Sequence, residues 1–355
     1  FVGKTYPLSF VLADAHLDGA LRHGENYVWL HKYGSFAALP LPAPQTWRLF
    51  VDVTDVPKLG DLSLDLVRRL MIERTGASGI EIHNPTWISE FKIHCRLVDR
   101  YRRGRVFMAG DAAHIHSPTG GQGIVTGIQD ALNLAWKLGR VLRGAPESLL
   151  DTYEEERRPK AAEVLKETDR TTGLLLAPNP ITKLIRDSIV LPVMRSEFVQ
   201  RKLFAKLAQL HVNYRGNTLS RHQESISMPT VLKAGDRAPD IAFRQRDKNT
   251  TLFELLRPFR PVALARYPES SPVQIDRLKT RLRTAEIDMY VISEKESESA
   301  SDPDCLIDIY GDFARLYGIK SEFFCLIRPD DHIGLFQSPI DHDAILEYVA
   351  RISAS

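Results

Sequence analysis

Between Gly104 and Leu142 the chain changes character twice, and the order of those changes leaves few folds open. The β-prone run Val106-Phe107-Met108-Ala109 closes on Gly110-Asp111-Ala112-Ala113-His114, which reads as the end of a buried strand. The loop Pro118-Thr119-Gly120-Gly121-Gln122-Gly123 then carries few bulky side chains. From Gly123 the apolar residues follow a helical period, with Ile124, Ile128, Ala131, Ala135, Leu138 and Leu142 on one face and Gly144 placed for a C-terminal cap. A glycine at the end of the strand lets the chain turn sharply without blocking a ligand. A carboxylate there is well placed to accept hydrogen bonds from ribose hydroxyls. The unpaired N–H groups and positive end of the following helix favour a partly anionic group. Asp111 and this loop are therefore candidate binding residues; a plain strand-to-helix turn is the competing reading.

The flanking sequence adds a β-rich region before the block and helices after it. Ser9–Asp14, Tyr27–His31, Phe36–Leu39, Trp47–Val53 and Trp87–Cys95 are short β-prone runs separated by turn residues. Leu62, Leu66, Leu70 and Met71 predict one helix over 62–76. Ser148 can cap a helix from Leu149 to about Leu176, in which Pro159 predicts a kink or break. A third helical region runs from Ile181 to about Leu210. Near 225–235 the helical pattern stops. Beyond it, strand Val262–Tyr267, helix Ile275–Ala285, strand Asp288–Ile292, a short helix at Phe313–Tyr317, a hairpin of Phe323–Ile327 and Ile333–Phe336, and helix Asp343–Ile352 follow the order of a thioredoxin-like fold.

Composition narrows the function classes. A net charge of +2 in 355 residues gives no electrostatic case for nucleic acid or an acidic membrane. No apolar stretch reaches the roughly 18 uninterrupted residues a spanning helix needs, and no signal peptide is visible. Cys95, Cys305 and Cys325 are odd in number and widely spaced. They predict neither a disulfide framework nor a zinc site, and fit a reducing cytoplasm. The chain begins at Phe1 with a strand-like segment under way, and is expected to be a piece of something longer.

The run Gly104 to Ala131, continued by Asn133-Leu134-Ala135-Trp136-Lys137-Leu138 and Tyr153-Glu154-Glu155-Glu156-Arg157-Arg158-Pro159, resembles the class A flavoprotein monooxygenases. These are FAD-dependent hydroxylases of phenols, hydroxybenzoates and polyketide-type rings. More weakly, Phe1-Val2-Gly3-Lys4-Thr5-Tyr6 resembles the start of the family's substrate-binding sheet, and Gly235-Asp236-Arg237-Ala238-Pro239-Asp240 resembles the beginning of the thioredoxin-like domain of its larger members. The resemblance implies an α+β / α/β fold. Its parts would be a substrate-binding β-rich region over 1–100 and the C-terminal half of a glutathione-reductase-like FAD-binding domain over 101–175. A helical region over 176–228 and a thioredoxin-like domain over 229–355 would follow.

By the same resemblance Asp111 would bind the FAD ribose and Pro118 would lie beside the flavin ring. Gly120 and Gly121 would shape the loop, and the backbone amides of Gly123, Ile124 and Val125 would face the pyrimidine edge. NAD(P)H would reduce the flavin, and O₂ would then form a C4a-hydroperoxide that hydroxylates a small phenolic or polyketide-type aromatic substrate. No side chain is assigned a catalytic role, and a homodimer is a compatible assembly. Two departures stand out. The family's GxGxxG phosphate loop is absent, and Gly121, Gly123 and Gly127 do not replace it, since they follow a loop and are wrongly spaced. Val125 stands where the family usually has Asn; a lost side-chain bond to the flavin there costs about 1 kcal/mol. The chain therefore reads as an incomplete FAD-binding domain, a fragment or truncated form of such an enzyme. The alternative is a non-catalytic truncated homologue acting as a binding or interaction module.

Outside the block the plainer readings dominate. His114 and His116 are expected to be hydrogen-bonded loop residues, with contact to flavin or substrate the alternative. Trp29, His31, Tyr33, Trp47 and Trp87 read as sheet packing rather than an aromatic pocket. Glu154 to Arg158 reads as a solvated, salt-bridged helix face, and Cys305 and Cys325 as structural thiols.

Overall fold

The computed structural model describes residues 1–31, 33–54, 56, 61–77, 79–118, 121–176, 180–194, 196–224, 231–267, 272–293, 302–318 and 322–354. They fall into two compact units. The first holds Phe1–Asp99, His114–Gly121 and Glu163–Arg201; the second holds Arg100–Ala113, Gln122–Ala162 and Lys202–Ser355.

The first unit is built on a six-stranded antiparallel sheet. Its order is Tyr27–His31, Gly34–Pro40, Thr46–Asp52, Val2–Asp18, Glu81–Leu97 and His114–Ile115. The period-2 alternation puts Val11, Ala13, Ala15 and Leu17 on the same buried face as Trp47, Leu49 and Val51. Helix Leu64–Thr75 covers that face with Leu66, Val67, Leu70 and Met71. The helix starts where the Ser63 hydroxyl accepts the Leu66 N–H (3.3 Å) and stops at Gly76, whose φ of 67° is left-handed. Ser63→Ala should cost about 1 kcal/mol, read as a lower denaturant midpoint with an unchanged m-value.

Trp29 and Trp47 pack in this core as expected, whereas Tyr33 and Trp87 are about half exposed (50% and 49%). The other face carries a stacked Phe10–Phe91 pair at 5.5 Å and a bidentate Arg48–Asp14 pair at 2.8 Å. His114 is buried in the strand His114–Ile115, and one ring nitrogen of His116 bonds the Ser117 carbonyl at 2.7 Å.

The second unit is built on an eight-stranded mixed sheet. Its order is Lys248–Thr251, Ala242–Gln245, Cys305–Asp308, Asp288–Ser293, Val262–Arg266, Phe323–Ile327, Ile333–Ser338 and Arg221–Glu224. Val262–Arg266 runs parallel to Asp288–Ser293 and antiparallel to Phe323–Ile327. Val262, Ala263, Leu264 and Ala265 are all fully buried, because apolar layers cover both faces of the central strand. On one face pack helices Pro272–Thr284 and His342–Ile352 together with Trp136. On the other pack Leu252, Leu256, Phe313 and Tyr317. The order expected from 262 onward is present. Four strands were not expected: Ala242–Gln245, Lys248–Thr251, Cys305–Asp308, and the polar Arg221–Glu224 on the sheet's edge.

Several helix expectations are corrected. Asp151–Leu176 is a single helix through Pro159, so that proline does not end it; Ser148 lies inside a preceding 3₁₀ turn, Glu147–Leu150, rather than at the cap. The third helical region is divided into Pro180–Ile185, a π turn Arg186–Val190, Leu191–Met194 and Glu197–Leu207.

Candidate functional site

The run Val106–Phe107 is not a buried strand. It pairs only with Arg102–Arg103 among the described residues, and Val106 is 61% exposed. Composition favoured burial, but no further described strand flanks it. The turn that follows is formed as expected. Gly110 has φ 57°, which glycine adopts without strain, and Gly110–Ala112 make a 3₁₀ turn on which Asp111 is exposed. The Asp111 carboxylate has no hydrogen-bond or ion-pair partner among the described residues.

That turn is fastened to helix Gly123–Leu142 in two ways. Gly110 and Gly127 lie so close that a methyl on Gly127 would sit 3.3 Å from the Gly110 Cα. The Gly110 N–H also donates to Asp130 Oδ2 at 3.1 Å. Asp130 Oδ1 in turn accepts Arg157 Nε at 2.7 Å, and Arg157 reaches Tyr214 Oη (2.9 Å), Gln129 (3.1 Å) and the Thr126 carbonyl (3.2 Å). Asp130 and Arg157 are fully buried. Burial works against the charge on Arg157, but Tyr214 and Asp130 more than offset this and raise its pKa. Burial pushes the Tyr214 hydroxyl up to about 12 despite the neighbouring Arg157.

At the start of the helix the first bond back to the chain is Thr126 N–H to the Gln122 carbonyl, 3.0 Å. Gln122 sits at the N-cap position without a side-chain cap bond. The N–H groups of Gly123, Ile124 and Val125 have no acceptor among the described residues, the usual state of a helix start left open to a ligand. Val125 contributes such a donor through its backbone. In the first unit, the Pro118 carbonyl accepts the Gly121 N–H at 2.9 Å, and Gly121 has φ 65°. Gly120 lies outside the described residues.

The long helix is amphipathic, but it faces the opposite way from the expectation. Its buried face is Thr126, Asp130, Asn133, Trp136, Lys137 and Arg140, whereas Ile124, Ile128 and Leu142 are 78%, 55% and 85% exposed. Buried charge is tolerated only when it is paired and hydrogen-bonded, and here it is. Lys137 Nζ donates to Asn133 Oδ1 and Glu156 Oε2, both at 2.8 Å, and the Asn133 amide donates to Glu156 (2.8 Å) and Asp330 (2.9 Å). Arg328 bridges Glu156 (2.6 Å) and Asp330 (2.6 Å) and lies over the Trp136 and Tyr214 rings.

Two cations and two carboxylates thus neutralise one another at zero exposure for three of the four. Burial alone would raise the Glu156 pKa; Arg328 and Lys137 instead bring it down to about 2. Burial lowers Lys137 to about 8. Glu156 and Arg157 are therefore not part of a solvated face. Glu154 is structural as well, since its carboxylate accepts the N–H groups of Tyr101 (2.7 Å) and Arg102 (3.2 Å).

Asp130, Gly127, Arg157 and Tyr214, which organise the site, were missed as site residues. The one available signal was Gly127 three residues before an aspartate on the same helix.

The arrangement is an exposed carboxylate, unpaired among the described residues, on a glycine turn fastened to a helix whose leading amides have no acceptor among the described residues. The chain is similar, over part of their length, to flavin-dependent monooxygenases. Residues 27–168 match the FAD binding domain family. The chain is 34% identical over 323 residues to a flavin-dependent monooxygenase of Mycobacteroides abscessus, covering 89% of this chain and 54% of that protein. It is 38% identical over 226 residues to the 12-dehydrotetracycline 5-monooxygenase/anhydrotetracycline 6-monooxygenase of Streptomyces rimosus, covering 60% and 44%. Among solved structures it is similar to the anhydrotetracycline hydroxylase OxyS of Streptomyces rimosus, with a TM-score of 0.71 and 29% identity over 100% of this chain and 65% of that one. The chain thus spans about half the length of the curated relatives it matches.

Proposed function

We propose that this chain supplies the ribose- and pyrimidine-binding part of an FAD- and NAD(P)H-dependent monooxygenase that hydroxylates a small phenolic or polyketide-type aromatic ring. The observation that carries the reading is Asp111, an exposed and unpaired carboxylate held against helix Gly123–Leu142 by Gly110, Gly127 and Asp130. When bound, the flavin supplies hydride acceptance and oxygen activation, and the protein supplies orientation, exclusion of water and electrostatics. Asp111 would accept the ribose hydroxyls. The amides of Gly123, Ile124 and Val125 would donate to the pyrimidine edge, where negative charge accumulates on reduction. The tetracycline-type substrate of the named relative supports the choice of an aromatic ring.

Within this reading residues 1–100 are the substrate-binding region, 101–175 the FAD-binding part, 176–228 a helical region and 229–355 a thioredoxin-like domain. The central order of the second sheet, with a parallel βαβ pair beside an antiparallel hairpin and a terminal helix, supports the last assignment. Cys305 and Cys325 are buried, and burial pushes the Cys325 thiol up, so the domain is given a structural and not a dithiol role. Among the described residues no helix is long and apolar enough to cross a membrane. A cytoplasmic, homodimeric enzyme without nucleic-acid partners completes the proposal.

The test is FAD affinity. Asp111→Ala in the full-length gene product should weaken FAD binding by about 10- to 100-fold, the loss of a charge-assisted bond, with thermal stability unchanged because the side chain is exposed. Wild-type protein that binds no FAD would favour the interaction-module reading instead.

A further inference from the structure

We propose that Gln209 is a positioning residue that holds the first turn of helix Gly123–Leu142 in the form in which its leading amides stay open. Its use rests on the flavin reading above; its geometry does not. Gln209 follows helix Glu197–Leu207 and is 1% exposed. The Leu210 N–H reaches the Ala205 carbonyl (3.1 Å) and the Gln209 N–H reaches the Lys206 carbonyl (2.9 Å). These two bonds make the closure in which the residue at the position of Gln209 is left-handed and usually glycine. Gln209 adopts that conformation, with φ 54°. A glutamine is thus held where glycine would fit more easily, which points to a use for its side chain.

That side chain begins a directional chain of hydrogen bonds. Gln209 Nε2 donates to Thr126 Oγ1 at 2.7 Å, and Thr126 Oγ1 donates to the Gln122 carbonyl at 2.8 Å. The same amide meets Gln122 Oε1 at 3.4 Å. Thr126 and Gln122 are buried, with 0% and 6% exposure. Gln122 is the N-cap residue, so its side chain is occupied by Gln209 and not by the amides of its own helix. The N–H groups of Gly123, Ile124 and Val125 are thereby left without an acceptor among the described residues. Thr126 has its only side-chain proton committed to the Gln122 carbonyl, so it can only accept from Gln209, which fixes the direction of the chain.

Gln209→Gly separates position from folding, because glycine suits the left-handed backbone while losing the side chain. The variant should melt at the wild-type temperature or above. Its FAD affinity should fall about tenfold, and the Thr126 amide of the flavin-free protein should exchange about tenfold faster. Thr126→Val should give the same FAD and exchange effects, and the double variant should be no worse than either single, since both break one chain. Wild-type exchange at Thr126 in Gln209→Gly overturns the proposal, as do additive losses in the double variant. If Gln209→Gly fails to fold, Thr126→Val with unchanged FAD affinity overturns it equally. Wild-type protein that binds no FAD counts against the flavin reading alone, and Thr126 exchange then decides the position of Gln209.

Discussion

Glu156→Ala should destabilise the protein by about 4 kcal/mol, because it strands two buried cations on one carboxylate. Lys137 pairs with Glu156 at 2.8 Å and Arg328 with Glu156 and Asp330 at 2.6 Å, all four residues buried. Removing one partner of such a set leaves an uncompensated charge, a larger loss than the net contribution of the pair itself. The melting temperature should fall by about 10 °C. Glu147→Ala, which breaks the exposed Arg102 pair, should cost under about 1 kcal/mol.

The same network sets the acid limit of stability. The Glu156 pKa is held near 2, below its ordinary value of 4.5, so its contribution is fully present above that ordinary value. It is lost as pH falls through the window between the two, and amounts to about 3 kcal/mol. Asp330 acts in the same direction. Denaturant unfolding followed from pH 5 down to about 2 should show this slope in the wild type and a shallower one in Glu156→Gln. Identical slopes would mean that Glu156 is not charged in the folded protein.

Asp130→Ala should have a comparable effect, about 3–4 kcal/mol, through Arg157. Arg157 would be left fully buried with only neutral partners, Tyr214, Gln129 and the Thr126 carbonyl. This substitution also frees the Gly110 N–H, so the Asp111 turn should loosen from the helix. Asp130→Asn retains an acceptor for Gly110 while losing the charge, and so should keep more FAD affinity than stability. Calorimetry and a flavin titration on both variants separate the two roles of Asp130. Equal losses of affinity in the two would remove Asp130 from the positioning of the turn.

The sequence made the chain order of several strands and helices legible, because apolar periodicity is short-range chemistry. The helix expected over 62–76 is present as Leu64–Thr75, and the apolar runs at 262, 288, 323 and 333 become the strands of one sheet. The edge strand Arg221–Glu224 was not legible, since four polar residues carry no alternating pattern; its place is fixed by Ile333–Ser338, more than a hundred residues later.

The sharpest failure was the orientation of helix Gly123–Leu142. Amphipathicity assigns burial to Ile124 and Ile128, but Asp130, Asn133 and Lys137 are buried because Arg157, Glu156, Asp330 and Arg328 complete them. Those partners come from a charged run that looks solvated and from a turn almost 200 residues away. For the candidate site, the turn at Gly110–Asp111 and the helix start at Gly123 were readable from local chemistry. The residues that hold them (Gly127, Asp130, Arg157 and Gln209) were not, because their partners are set by tertiary contacts.

The most direct test of the central claim is an FAD titration of the full-length gene product, followed by the backbone amide resonances of Gly123, Ile124 and Val125. The account predicts that these three shift together and saturate with one affinity, and that Asp111→Ala moves the midpoint to higher FAD. FAD binding that leaves all three amides unmoved would contradict it.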